Sequence, residues 1–189
     1  MSMEDAELIE HTLFTESVFD GDLLHVRRDK VALPCGREAT REWIAHPGAA
    51  VVIAMLDNGK VLFERQFRYP LRRVFLELPA GKIEANEHPL DTMRRELREE
   101  TGYKAKVWRQ LGTMHPCIGY SDERIEIFWA HGLSFVGAEL DEGEHLEVTE
   151  LSVSDALLAV RDGEITDGKT ITALMWADKI ATGQWCLPD

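Results

Sequence analysis

Gly81-Lys-Ile-Glu-Ala-Asn-Glu87, then seven residues, then Arg95-Glu96-Leu97-Arg98-Glu99-Glu100-Thr101-Gly102-Tyr103, is the stretch on which the reading of this chain turns. Its second half predicts a helix from about Pro89 to Thr101, with proline at the start and Gly102 after the end. Leu90, Met93 and Leu97 form a stripe that can anchor the helix to a core. Glu96, Glu99 and Glu100 stand at i, i+3 and i+4, so they share one face. Two of these acids fall in the last turn, beside the negative end of the helix dipole. Two like charges about 4 Å apart repel by roughly 4 kcal/mol at an effective dielectric of about 20, so the arrangement calls for a partner. Arg94, Arg95 and Arg98 supply part of the compensation and a divalent cation would supply more. Carboxylates are hard oxygen ligands, so the expected ion is Mg²⁺ or Mn²⁺. A solvated helix face laced by i,i+4 pairs such as Arg95–Glu99 is the plainer alternative, and the helix alone leaves it open.

Working outward, Ala49 to Leu56 is a continuous apolar run suited to a buried strand. Asp57-Asn58-Gly59 is a strong turn signal and Val61-Leu62-Phe63 opens the paired strand. Further strands are expected around Val107 to Met114 and Arg124 to Ala130, and further helices from about Ser154 to Arg161 and Lys169 to Ala181. Strands and helices interleave without a regular βαβ period. The expected class is therefore α+β, an α/β/α sandwich around a mixed sheet. Before His46-Pro47-Gly48, residues 6 to 45 read as short strands. Turns fall at Phe19-Asp20-Gly21-Asp22 and Pro34-Cys35-Gly36. This divides the chain into a β-rich segment, 1–46, and a larger domain, 47–189.

The net charge is −13. An acidic chain is repelled by the phosphate backbone, which argues against nucleic acid as a partner and leaves a small phosphorylated substrate bound through cations. Three cysteines, Cys35, Cys117 and Cys186, lie far apart with no C-x-x-C pair, which points to a reducing compartment and no zinc site. The acidic N-terminus is not a secretory signal, and the longest apolar run is too short to span a bilayer. The expectation is a soluble cytoplasmic protein with no membrane partner.

The spacing from Gly81 to Gly102 resembles the Nudix box: G, five residues, E, seven residues, R-E, a bulky aliphatic, any residue, E-E, any residue, G, and a bulky aliphatic. All seven fixed positions match, and chance agreement is on the order of 10⁻⁸ per start position. The departure is Tyr103, where the family usually has an aliphatic residue; the position packs. The resemblance implies that Glu96, Glu99 and Glu100 hold the metal, joined by a carbonyl of the Pro79-Ala80-Gly81 turn, that of Ala80. Glu87 and Arg95 would tie the loop to the helix. Metals so held would neutralise a diphosphate, activate a water and stabilise the leaving phosphate.

The likeness extends beyond the box. Thr40-Arg41-Glu42, Gln66-Phe67-Arg68-Tyr69, Pro116 and Gly119-Tyr120-Ser121-Asp122-Glu123 resemble the ADP-ribose pyrophosphatase branch of the family. The strand-rich N-terminal segment resembles its dimerising extension. This implies a homodimer, with Arg41, Glu42 and Arg68 at the nucleotide or its phosphates and Glu123 at the terminal ribose. The branch places a mobile general base in the acidic loop that here reads Glu139 to Glu147. Glu144 is the first choice for it and Glu142 the second, since a loop can carry a base to the reacting water on closure. The function implied is metal-dependent hydrolysis of a nucleoside diphosphate linked to another group, with ADP-ribose preferred. Another nucleotide sugar, a dinucleoside polyphosphate, or a non-catalytic nucleotide sensor on the same fold are the alternatives.

Two other patterns carry less. Gly163-Glu-Ile-Thr-Asp-Gly168-Lys169-Thr170 matches the phosphate-loop pattern G-x-x-x-x-G-K-T. It follows a helix, not a strand, and only nineteen residues remain after it, too few for the sheet that motif needs. Asp167 reads better as a helix N-cap. Cys117 with nearby His115 lacks an orienting third group for thiol catalysis.

Overall fold

β4 (Ala49–Met55) is buried on both faces along its middle, and it sets the layering of the larger part of the chain. Its residues alternate between two apolar clusters. Ala50, Val52 and Ala54 pack with Met93 and Leu97, while Val51 and Ile53 pack with Ala156, Leu174 and Ala177. A strand covered on both faces has no position for a polar side chain, which is why its sequence is an unbroken apolar run. These relations come from a computed structural model that describes residues 5, 7–140, 143 and 145–188.

The described residues fall into two units. The larger comprises Pro47–Pro116 and Arg124–Asp189. Its sheet is built from β4, β5 (Lys60–Arg68), β6 (Arg73–Glu77), β7 (Ala80–Lys82), β8 (Tyr103–Met114), β9 (Ile125–Phe135) and β10 (Leu146–Ser152). The order is β10-β5-β4-β9-β8, with β6 on β5 and β7 on β4. β4 and β9 are parallel and the other pairs are antiparallel, so the sheet is mixed. Helix α1 (Pro89–Thr101) covers one face through Met93 and Leu97. Helices α2 (Val153–Arg161) and α3 (Gly168–Ala181) cover the other. This is the α/β/α sandwich expected of the sequence, and burying Leu97 completely contributes about 1.5–3 kcal/mol to it.

The turn at Asp57-Asn58-Gly59 forms, with Gly59 donating to the Leu56 carbonyl. The strands it joins part at once, however: Met55–Val61 is their one register pair. β5 swings away to pair with β6 and β10. The vacated edge of β4 takes β7 instead, pairing Ala50 with Gly81 and Val51 with Ala80. That exchange brings the start of the box onto the central strand. β8 and β9 run further than the apolar runs suggested, to Tyr103 at one end and Phe135 at the other. Tyr103 packs edge to face on Phe135, with ring centroids 5.3 Å apart.

The smaller unit comprises Met1–His46 and Cys117–Glu123. β1 (His11–Asp20), β2 (His25–Ala32) and β3 (Glu38–Ala45) form an antiparallel meander. The Cys117–Glu123 segment lies along the end of β3. Ile44 donates to the Tyr120 carbonyl at 2.8 Å, and the His46 backbone donates to the Asp122 carboxylate at 2.8 Å. Among the described residues no helix is long and apolar enough to cross a membrane.

Candidate active site

α1 begins and ends where its sequence says it should. Pro89 occupies its first turn, and His88 Nδ1 accepts from the Leu90 backbone N–H. Gly102 closes it in the left-handed conformation at φ 77°, donating to the Arg98 carbonyl. A Cβ there would also lie 2.6 Å from the Phe135 ring, so the position excludes any side chain on two counts.

With Met93 and Leu97 committed to the core, the carboxylates of the box line the flank of the helix. Arg95 organises them. Its Nε and Nη2 donate to the two oxygens of Glu87 at 3.1 and 3.2 Å. Its Nη1 lies 2.9 Å from Glu96 Oε1 and 3.2 Å from Glu99 Oε2. Glu87 in turn accepts from the Thr92 hydroxyl and the Glu84 backbone, so the loop before the helix is tied to the helix. Hydrogen bonding to Glu87, with the fields of Glu96 and Glu87 and a bond to Glu99, raises the Arg95 guanidinium above its ordinary value. The same bond from Arg95 holds Glu87 below the usual carboxylate range.

Glu96 also meets the turn that precedes the helix. A Cβ added to Gly81 would lie 2.0 Å from Glu96 Oε1 and 2.3 Å from its Cγ. Only glycine lets the Glu96 side chain lie across the Ala80–Gly81 backbone. Glu100 is buried. Glu99 receives a second arginine, Arg98 Nη2, at 3.2 Å. Arg98 Nη1 also holds Glu139, whose backbone N–H donates to the Glu99 carbonyl, so the start of the acidic loop is fastened to the end of α1. The loop residues chosen as general base, Glu144 and Glu142, lie outside the described residues.

Arg68, at the end of β5, grips the buried Glu77 side-on, Nε to Oε1 at 2.8 Å and Nη2 to Oε2 at 2.9 Å. Its guanidinium is raised first by that hydrogen bonding, and the field of the box residue Glu100 contributes to the same shift. Burial alone would raise Glu77. The hydrogen bonds from Arg68 and the charge of Lys169 outweigh burial and hold it below the ordinary carboxylate value. Lys169 Nζ bonds both Glu77 and Asp167. Asp167 caps α3 by accepting from the Thr170 N–H, as its place in the sequence suggested. The lysine of the phosphate-loop pattern is thus consumed by carboxylates, and the segment before it is α2 and a loop. Sequence reading missed this network. The available signal was Glu77 itself, an acid inside Val74-Phe75-Leu76-Glu77-Leu78.

The remaining candidates belong to the smaller unit. Arg41 is paired with Glu10, Nε to Oε2 at 2.9 Å. Glu42 accepts from Arg28 at 3.0 Å across the β2–β3 register. The Glu123 carboxylate lies 3.9 Å from His46 Nδ1.

The box on α1, its tie to the loop, and the sandwich beneath it define the class. The NUDIX domain family matches residues 45–174, and the chain belongs to this family of hydrolases. Among individual proteins it is similar to the ADP-ribose pyrophosphatase of Bacillus subtilis (strain 168), 41% identical over 171 residues, covering 89% of this chain and 92% of the relative. It is also similar to a methanol dehydrogenase activator of Bacillus methanolicus, 38% identical over 169 residues, covering 88% and 91%. A solved structure described as an ADP compounds hydrolase superposes with a TM-score of 0.83 at 21% identity, covering 93% of this chain and 95% of that one. At that identity the superposition speaks for the fold.

Nudix hydrolases typically use divalent metal ions. Among the described residues no three acidic, histidine or cysteine side chains already converge as a closed metal-binding set. The residues nevertheless fit such an ion. Glu96 and Glu99 already converge on one cationic nitrogen, Arg95 Nη1. The Gly81 cradle places a carboxylate against backbone. The donors are all oxygen, the set hard divalent ions prefer.

Proposed function

We propose that this Nudix hydrolase cleaves ADP-ribose with water to AMP and ribose 5-phosphate, using Mg²⁺ or Mn²⁺ held by Glu96, Glu99, Glu100 and the Ala80 carbonyl. The observation that carries the reading is 41% identity to an ADP-ribose pyrophosphatase over 89% of the chain, with the box acids on one helix flank. When bound, the ions would offset the diphosphate charge and lower the pKa of a water. The chain's own residues do the rest. The Gly81 turn and Arg95 hold Glu96 and Glu99 in place, so little reorganisation is left for the reaction. Arg68 presents the end-on edge of its guanidinium, Nη1 and the outer Nη2 hydrogen, to a phosphate oxygen, because its other edge is taken by Glu77. Glu144, or Glu142 in its stead, takes the proton of the attacking water; the tether of Glu139 to α1 supports this by keeping the loop's first residue at the box helix. Arg41 and Glu42 contact the nucleotide or its phosphates, and Glu123 the terminal ribose.

The proposal extends to a cytoplasmic homodimer with 1–46 as its dimerising segment and 47–189 as the catalytic domain. The exposed Leu13, Phe14, Val18 and Phe19 of β1 and the three free thiols support it. Light scattering of the pure protein reads the assembly directly. For the reaction, the protein is incubated with ADP-ribose and millimolar Mg²⁺ beside an EDTA control, and the products are separated by chromatography. EDTA-sensitive release of AMP is expected. Silence on ADP-ribose with turnover of another nucleotide sugar or a dinucleoside polyphosphate would remove the substrate and keep the chemistry.

A further inference from the structure

Two consecutive residues at the start of α3 hold the last residue of β6 and the one that follows it. Lys169 Nζ bonds the Glu77 carboxylate, and the Leu78 backbone N–H donates to Thr170 Oγ1 at 3.0 Å. Glu77 is 3% exposed, Lys169 13% at its side chain, and Thr170 fully buried. Arg68, by contrast, is 43% exposed at its side chain. It lines a cleft of about 380 Å³ with Leu71, Phe75, Glu77, Asp167 and Lys169. The cationic side chains at this cleft are therefore not equivalent. Arg68 reaches solvent, whereas Lys169 is spent on Glu77 and Asp167.

From this geometry we infer that Lys169 is a positioning residue: through the shared Glu77 carboxylate it fixes the plane of the Arg68 guanidinium that faces the substrate diphosphate. The inference rests on the role proposed for Arg68 above. Glu77 Oε1 accepts from Arg68 Nε, while Oε2 is shared by Arg68 Nη2 and Lys169 Nζ. Burial opposes the charge on Glu77, and Lys169 is one of the two groups that overcome it. Without Lys169, a buried carboxylate oxygen keeps a single charged donor. Unpinned from α3, the carboxylate can turn about its side-chain torsions, so neither Arg68 bond is held in one geometry. The guanidinium then turns with the carboxylate, its Nε–H opens to solvent exchange, and its outer edge no longer meets the phosphate in a fixed orientation. Lys169 itself touches no substrate atom; it acts through Glu77.

Two measurements test this. The first is a double-mutant cycle in kcat/KM for ADP-ribose, with wild type, R68A, K169M and R68A/K169M. K169M is expected to lower kcat/KM about tenfold, chiefly through KM, as loss of an oriented charge-assisted contact does. In the R68A background it should change nothing, because the group it positions is gone. K169R should recover activity to within about threefold of wild type by replacing the cation. Should K169M fold poorly, K169M/E77Q removes both buried charges and is expected to show the same KM rise. The second is the Arg68 Nε–H resonance, assigned by its loss in R68A; its protection from solvent exchange should fall in K169M and return in K169R. A K169M enzyme with wild-type KM, an undiminished effect of K169M on top of R68A, or unchanged protection of the Arg68 Nε–H overturns the inference. An R68A enzyme as active as wild type, with Arg68 protection lost in K169M, shows instead that the substrate role of Arg68 was wrong.

Discussion

The Glu96 side chain lies across the backbone of Gly81, so closely that a Cβ at position 81 would sit 2.0 Å from Glu96 Oε1. The first glycine of the box is thus required by what rests on it. Gly81→Ala meets the end of a side chain and not backbone, so the fold can accommodate it by moving Glu96. The expected result is a melting temperature close to wild type with activity about 100-fold lower, since misplacing a catalytic group by about 1 Å costs that much. Thermal melts and kcat on one protein preparation decide it. Full activity in Gly81→Ala would mean that the Glu96 position does not matter for turnover.

Thr170 makes the complementary case for stability. Its fully buried hydroxyl accepts from the Leu78 N–H and donates to Asp167 at 2.7 Å. Thr170→Val keeps the shape and leaves a buried backbone donor without its acceptor, which costs about 1–3 kcal/mol. At this chain length that is a fall of roughly 2–4 °C in Tm per kcal/mol. Thr170→Ser should recover most of it. Equal melting of Thr170→Val and wild type would show that water or a neighbour satisfies Leu78.

Much of this was legible in the sequence, and the boundary is physical. The helix flank of Glu96, Glu99 and Glu100 is a local matter of 3.6-residue periodicity, and its caps at Pro89 and Gly102 are read from neighbours in the chain. The layering follows from the unbroken apolar run of β4. The partner exchange along β4 was not readable, because the turn at Asp57-Asn58-Gly59 fixes only its own two ends and β7 competes for the same edge. The Lys169–Glu77 pair spans 92 residues. Nothing near either residue announces the other, and the phosphate-loop pattern around Lys169 suggested a different use for its charge. Arg41 and Glu42 show the reverse. The sequence marks them as charged and the structure gives each an ion pair in the smaller unit, so their substrate roles rest on resemblance.

Arg95 holds Glu87, and Arg68 with Lys169 hold the buried Glu77, below the ordinary glutamate range in the folded state. A folded value depressed below the unfolded one stabilises the protein above the unfolded pKa, and the contribution disappears as pH falls through the folded value. Stability to urea should therefore hold near neutrality and decline below about pH 4.5 as both carboxylates take protons in the unfolded chain. Glu87→Gln separates the contributions: it is less stable than wild type at pH 6, and the gap closes on acidification. A gap that stays constant down to pH 3 would mean that Glu87 acts through packing and not through its charge on Arg95.

An ion held as proposed by Glu96 and Glu99 would share their carboxylates with Arg95 Nη1, which lies 2.9 and 3.2 Å from them. An ion that binds the folded chain alone stabilises it by about 1.4 kcal/mol at tenfold over its Kd. For a chain of this size that is a rise in Tm of roughly 3–5 °C. The rise should appear with Mg²⁺ or Mn²⁺, vanish with EDTA, and need no substrate. Glu96→Gln and Glu100→Gln should each reduce it strongly, because a neutral amide is a poorer ligand for a hard ion than a carboxylate. Glu100→Gln should also lower turnover by orders of magnitude while folding normally. Glu42→Gln, in the smaller unit, should leave the metal-induced rise intact. If the glutamine variants on α1 keep the full rise, the ion is held elsewhere, and Glu96 and Glu99 serve to anchor Arg95 and Arg98.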